Sequence, residues 1–169
     1  MKTRILCYSS GIAGRDPLAA AGPTQLMRRL QQQHPQYEIH RNLTCVSDLS
    51  GKAAMGEIMQ LNTHLAQLTK DAITDQNHFL TLSGDHSSAI GTWGGAFNAL
   101  AAVDKSLGLI WVDAHMDCHT FETSPSQNMH GMPLAALLGY GDKQLQSITA
   151  PSPALQPNHV ILIGIRSYE

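Results

Sequence analysis

Four apolar residues in unbroken succession, Leu109-Ile110-Trp111-Val112, run directly into Asp113-Ala114-His115-Met116-Asp117. A run with no polar alternation suits a strand buried on both faces of a parallel sheet, and Val160-Ile161-Leu162-Ile163 repeats the pattern. Shorter apolar runs at residues 5–8, 37–43 and 79–82 complete a set of five expected strands, the last two covering 107–112 and 160–165. Between them lie helical stripes. Pro23 stands at a first helical position with Leu26, Met27 and Leu30 on one face. Leu61, Leu65, Leu68 and Ala72 form a second stripe, Ile90, Trp93, Phe97 and Leu100 a third, and residues 132–138 a fourth helix after His130. Such alternation predicts an α/β fold with a mainly parallel sheet and right-handed crossovers. Residues 141–158, with Pro151, Pro153 and Pro157, read as a long loop around a short helical piece.

Open parallel sheets bind ligands beyond the carboxyl ends of their strands. Two such ends carry ligand-type residues: Ser83-Gly84-Asp85-His86-Ser87 and the segment from Asp113 to Asp117. If the chain stays extended past Val112, residues 113, 115 and 117 point to one side. Two carboxylates and an imidazole beside an apolar strand are costly to hold together unless a cation neutralises them. Oxygen donors with imidazole suit Mn, Fe, Co or Zn, and a structural zinc site is disfavoured by the lack of a thiolate set. His86 is expected to join from the other strand end. The plainer alternatives are helix N-caps for Asp113 and Asp85, a structural role for His86, and packing roles for Cys118, Trp93 and Trp111.

The rest of the composition narrows the function class. With 169 residues, 43% hydrophobic and 14% charged, the chain fits one globular domain. A formal charge of −2 without a basic stripe argues against nucleic acid and anionic membranes as partners. No apolar run is long enough to span a bilayer, and the start is too short in apolar residues for a signal peptide. Three cysteines without a paired spacing, Cys7, Cys45 and Cys118, read as reduced thiols in a cytoplasmic protein.

These residues resemble the arginase, or ureohydrolase, superfamily. Ser83-Gly84-Asp85-His86-Ser87 is similar to its GGDHS motif with Ser83 in place of the first glycine, and Asp113-Ala114-His115-Met116-Asp117 matches DAHxD. Asn128-Met129-His130-Gly131-Met132-Pro133 resembles the N-x-HGMP segment, Ile163-Gly164-Ile165-Arg166 the strand that follows, and Gly14 with Ala21-Gly22-Pro23 the N-terminal loop. His119-Thr120 and Ser126-x-Asn128-x-His130 look more like arginase than agmatinase.

The resemblance implies a three-layer αβα fold and a pair of Mn(II) ions. Asp113 would bridge both metals, His86 and Asp117 would bind one, and His115 the other. A metal-bridging hydroxide would attack the guanidinium carbon, most simply converting L-arginine to L-ornithine and urea. His130 would shuttle the proton to the leaving amine, and His119, Thr120, Ser126 and Asn128 would contact the small-molecule guanidino substrate. Homo-oligomers, trimers or hexamers, are implied as well. Besides Ser83, two positions depart from the pattern: His119 stands where arginases generally have Asn, and Gln127 where they have glycine. The family's DxDxxDP ligands and a later substrate-binding Glu are not in these 169 residues. Residues 1–169 are therefore expected to be the N-terminal portion of a single arginase-like domain, incomplete at the C-terminus, with a gap between the third and fourth strands. Two further readings stay open: an inactive truncated product, or a ureohydrolase acting on agmatine, guanidinobutyrate or a formimino compound.

Overall fold

Central burial falls on the first strand. The computed structural model describes residues 2–149 and 153–167. In it, β1 (Thr3–Ser9) lies between β2 (Ile39–Thr44) and β3 (His78–Ser83), all parallel, in the order β2-β1-β3. Side chains alternate across a strand, and β1 uses both faces. Ile5 and Cys7 pack with Met27 and Leu30 of α1 (Gly22–Gln33), while Leu6 and Tyr8 pack with Leu61 and Leu65 of α2 (Met55–Thr74). Helix, sheet and helix thus form three layers. Pro23 sits in the first turn of α1, where its missing N–H has no partner to lose.

The third helical stripe becomes α3 (Ser88–Ala101), which crosses α2 at very close range. A Cβ at Gly95 would lie 2.0 Å from Thr69 Oγ1 and 2.1 Å from the Ala66 carbonyl oxygen. Only hydrogen fits between the helices there. Gly95→Ala is therefore expected to cost about 2 kcal/mol of stability despite alanine's better helix propensity. A urea midpoint unchanged from the parent chain would show that the crossing can open without loss.

The remaining strands, β4 (Leu109–Val112) and β5 (Val160–Ile163), pair in parallel as a second sheet that has no ladder to β3 among the described residues. That matches the expected gap between the third and fourth strands. Leu109 and Trp111 pack inward with Ala89 and Ala96 of α3 and with Leu134 and Leu137 of α4 (Pro133–Leu137). The expectation of burial on both faces is wrong for this pair. Ile110, Val112, Ile161 and Ile163 are 64%, 74%, 58% and 48% exposed, because no described element lies over that face. The loop after α4 holds α5 (Lys143–Gln146) and a 3₁₀ turn at Pro157–His159; Pro151 lies outside the described residues. The three cysteines form no disulfide among the described residues. No described helix is long and apolar enough to cross a membrane.

Candidate metal centre

The segment after β3 is pinned against the loop after β1. A Cβ at Gly84 would sit 2.3 Å from the Ser10 carbonyl oxygen and 2.7 Å from that of Ala19, so glycine is required. Asp85 is buried and ties three pieces of backbone and side chain together. Its Oδ1 accepts from the Ser87 N–H at 3.0 Å and from the Ser87 hydroxyl, and its Oδ2 accepts from the Ala13 N–H at 3.2 Å. Asp85 thus serves the turn into α3, as an N-terminal cap would, and also fastens a distant loop. Burial pushes its carboxyl above the ordinary range, and the hydrogen bonds from Ser87 and Ala13 partly oppose that.

Between Asp85 and Ser87, His86 projects toward the second sheet. Its ring stacks on Trp111, with centroids 4.6 Å apart and planes at 28°. Trp111 is a core residue, as expected, and also the platform for this imidazole. His86 Nδ1 lies 2.6 Å from Asp117 Oδ2 and 3.2 Å from Asp113 Oδ2. Burial alone would depress the imidazole, but its hydrogen bond with Asp117 and the charges of Asp117, Asp113 and Asp85 outweigh it and hold His86 above its ordinary value.

Past β4, the chain stays extended only for a few residues. The Asp113 N–H donates to the Ile163 carbonyl, and His115 forms a lone parallel bridge with Ser167. Asp113 Oδ1 accepts from the His115 N–H at 3.0 Å, so Asp113 caps a turn and no helix. Asp117 then takes a left-handed φ of +53°. Its carbonyl accepts from the Leu134 and Ala135 N–H groups at the start of α4. That bend brings its carboxylate inward, where simple alternation would have aligned residues 113, 115 and 117. The result is a group of three, His86, Asp113 and Asp117, whose ligand atoms lie within 4.8 Å of one another. His115 stands beside it, Nδ1 3.4 Å from Asp113 Oδ1, with a side chain 62% exposed. Asp117 is buried, and among the described residues its Oδ2 has no partner besides His86 Nδ1.

These groups open onto a cavity of about 400 Å³. Its lining includes His86, Asp113, His115 and Asp117, and also His119, Ser126, Asn128 and His130. Of the residues expected from sequence, Thr120 alone is not in that lining. Its hydroxyl accepts from the Glu122 N–H, and its N–H donates to Thr123 Oγ1, so it shapes the turn behind the wall. His119 Nδ1 lies 3.1 Å from Thr123 Oγ1. Asn128 is half-buried, and its Oδ1 has no hydrogen-bond partner among the described residues. His130 is exposed; its N–H donates to the Ala13 carbonyl, and its ring abuts Gly14. Ser124 also lines the cavity and is buried, which its place in a Thr-Ser-Pro-Ser turn sequence did not signal. A larger cleft of about 660 Å³ lies by Lys2, Arg4 and His40 at the opposite ends of β1 and β2, and it contains none of the three-residue group.

Known proteins resemble the chain in sequence and in fold. The Arginase family model matches residues 8–169. The arginase of Bacillus caldovelox is 46% identical over 112 residues, which is 66% of this chain and 36% of that protein. The arginase of Bacillus subtilis is 43% identical over 115 residues, 68% of this chain and 38% of that protein. Among solved structures, Bacillus caldovelox arginase superposes with a TM-score of 0.83 at 32% identity, covering 98% of this chain and 58% of that one. Bacillus cereus arginase superposes with a TM-score of 0.85 at 29% identity over 99% of this chain and 58% of that one. The matched segments are under two fifths of the curated relatives' length, and the superposed chain is under two thirds of the solved ones.

Proposed function

We propose a function from the premise that the chain belongs to the arginase family: with manganese bound, the cavity hydrolyses a guanidino C–N bond, converting L-arginine to L-ornithine and urea. The observation that carries this reading is the convergence of the buried Asp117 carboxylate and the Asp113 carboxylate on one imidazole nitrogen, with Asp117 Oδ2 2.6 Å from it and the ligand atoms of all three within 4.8 Å of one another. Two carboxylates held this close beside an apolar strand are costly, and a shared cation removes the cost. The donor set fits manganese, since it offers carboxylate oxygen and imidazole while Cys118 packs against the core. His86, Asp113 and Asp117 would hold one ion, with Asp113 shared with a second beside His115. Divalent cations bound there lower the pKa of coordinated water, which makes hydroxide available near neutral pH.

The chain's own residues do the rest. His130, exposed at the rim and fixed by its backbone to Ala13, holds a proton on its imidazole and gives it to the leaving amine. Asn128 Oδ1 is an acceptor in want of a donor, and it takes one from the substrate's ammonium or guanidinium group. Ser126 and His119 complete that wall, with Thr120 shaping it from behind. Residues 1–169 belong to one arginase-like domain of a cytoplasmic protein that assembles with copies of itself and takes a small guanidino molecule as partner.

The test loads the chain with Mn(II), desalts it, and measures retained metal together with urea released from L-arginine, agmatine and guanidinobutyrate. A retained pair of ions with urea from L-arginine is the expected result. Failure to retain metal overturns the reading, and release from agmatine alone moves the substrate.

Metal affinity should also depend on pH. A ligand imidazole must lose its proton to bind, and His86 is held above its ordinary value by three carboxylates. Apparent Mn(II) affinity is thus expected to fall with pH, approaching about tenfold per pH unit for each proton displaced. Calorimetric titrations that give the same affinity from about pH 8 to about pH 6 would remove His86 from the ligand set.

A further inference from the structure

We propose that Gln127 is a positioning residue whose side-chain amide holds the loop of residues 119–128 in the shape that presents Ser126 and Asn128 to the cavity. The inference rests on reading that cavity as the substrate site. Gln127 does not line the cavity itself. It adopts a φ of +59°, a left-handed conformation that residues other than glycine seldom take without compensation. The compensation is visible. Nε2 donates to the Phe121 carbonyl and to the Ser124 carbonyl, each at 2.7 Å, so both amide hydrogens are used. The Gln127 backbone N–H donates to Ser124 Oγ at 3.1 Å.

Those bonds join the two sides of the loop. Phe121 is the fixed side: it packs against the core cluster of Ile12, Met55 and Met129, and Lys52 Nζ lies 5.2 Å from its ring centre. The cavity side consists of Ser124, Ser126 and Asn128. Ser126 Oγ accepts from the Asn128 N–H at 3.3 Å, so a shift of Ser124 or Gln127 reaches Asn128 within a few bonds. Hydrogen bonds from the Ser124 N–H to the Thr120 carbonyl and from the Gln127 N–H to Ser124 Oγ hold the turn itself, whereas the amide is the side-chain link that ties residue 127 to the Phe121 carbonyl. A glycine here would relieve the backbone but supply no clamp, and an alanine would keep the strain and lose the clamp. Gln127 can therefore be separated into a backbone role and a side-chain role by comparing the two.

The experiment compares Gln127→Gly and Gln127→Ala with the parent 169-residue chain by amide hydrogen exchange, with Mn(II) affinity and L-arginine affinity as further readings. Both variants are expected to exchange about tenfold faster at the substituted position and at Asn128, with β1 and α2 amides unchanged. L-arginine should bind several-fold more weakly while Mn(II) affinity is unchanged, because Gln127 touches none of the proposed ligands. Parent-like exchange in Gln127→Gly would overturn the proposal, since the backbone alone would then hold the loop. Faster exchange throughout the chain in Gln127→Gly would overturn it too, by showing a role in the whole fold. The proposed function fails separately, through loss of Mn(II) or L-arginine binding in the parent chain, and the exchange comparison still decides the role of Gln127.

Discussion

Replacing Asp113 by alanine is expected to weaken Mn(II) binding by at least about a hundredfold, the upper end of what even an outer-shell partner contributes to a metal site. Asp113 is the residue both imidazoles approach: its Oδ2 lies 3.2 Å from His86 Nδ1 and its Oδ1 3.4 Å from His115 Nδ1. A carboxylate placed between two such nitrogens can serve two ions at once, so its loss should remove both together. Asp117→Ala should remove the ion beside His86, and His115→Ala only the other. The cost to the fold should be small in comparison. Among hydrogen bonds to the Asp113 side chain, the described contact is the His115 N–H, and its net contribution is about 1 kcal/mol. Counting free Mn(II) by its electron-spin resonance during titration reads affinity and stoichiometry, with circular dichroism to confirm that the variant folds. If Asp113→Ala binds Mn(II) like the parent, the carboxylate is a turn residue and the metal reading falls with it.

The five strands and the main helices were legible because periodicity is a local property. The apolar runs of β1, β4 and β5, and the stripes of α2 and α3, can be read from the residues themselves. What could not be read was whatever depends on a neighbour. Ile110 and Val112 are as apolar as Leu109 and Trp111, yet one pair is covered by α3 and α4 and the other is bare. No residue in the strand itself records which face will have a helix over it. The site divides in the same way. Its residue types and strand-end positions pointed to a cation, and His86 does meet Asp113 and Asp117. His115, which alternation would have grouped with them, stands beside Asp113 Oδ1 instead, and Asp117 enters the group from a left-handed turn whose carbonyl is tied to the first N–H groups of α4. Aspartate tolerates that conformation better than most residues, but its identity alone does not announce it. Gln127 is the converse case: the departure from glycine was plain in the sequence, and its meaning needed the backbone angle and the two carbonyls its amide reaches.

Asp85→Ala is expected to destabilise the chain by about 3 kcal/mol, more than its place in a short connecting segment suggests. The substitution leaves the Ser87 N–H, the Ser87 hydroxyl and the Ala13 N–H without their acceptor at a buried position. Ser87 Oγ is in turn 3.1 Å from the Tyr8 hydroxyl, which accepts from Asn62 Nδ2, while Asn62 Oδ1 accepts from the Gly91 N–H. One carboxylate thus ends a buried polar chain that joins β1, α2 and α3, and the members of such a chain are worth more together than singly. Asp85→Asn separates the hydrogen bonds from the charge. Its carbonyl can keep the Ser87 bonds, whereas its NH₂ facing the Ala13 N–H cannot. Burial already disfavours the charged carboxylate and pushes it above the ordinary range, so the neutral amide should cost only about 1 kcal/mol. Urea unfolding of both variants measures the difference. An Asn variant as unstable as the Ala variant would mean that the negative charge itself holds this end of the sheet, through its field on His86 and His130. The expected order has a local consequence as well. Ala13 gives its N–H to Asp85 and its carbonyl to the His130 N–H, so both variants should loosen the backbone under His130, and its amide should exchange faster than those of β1.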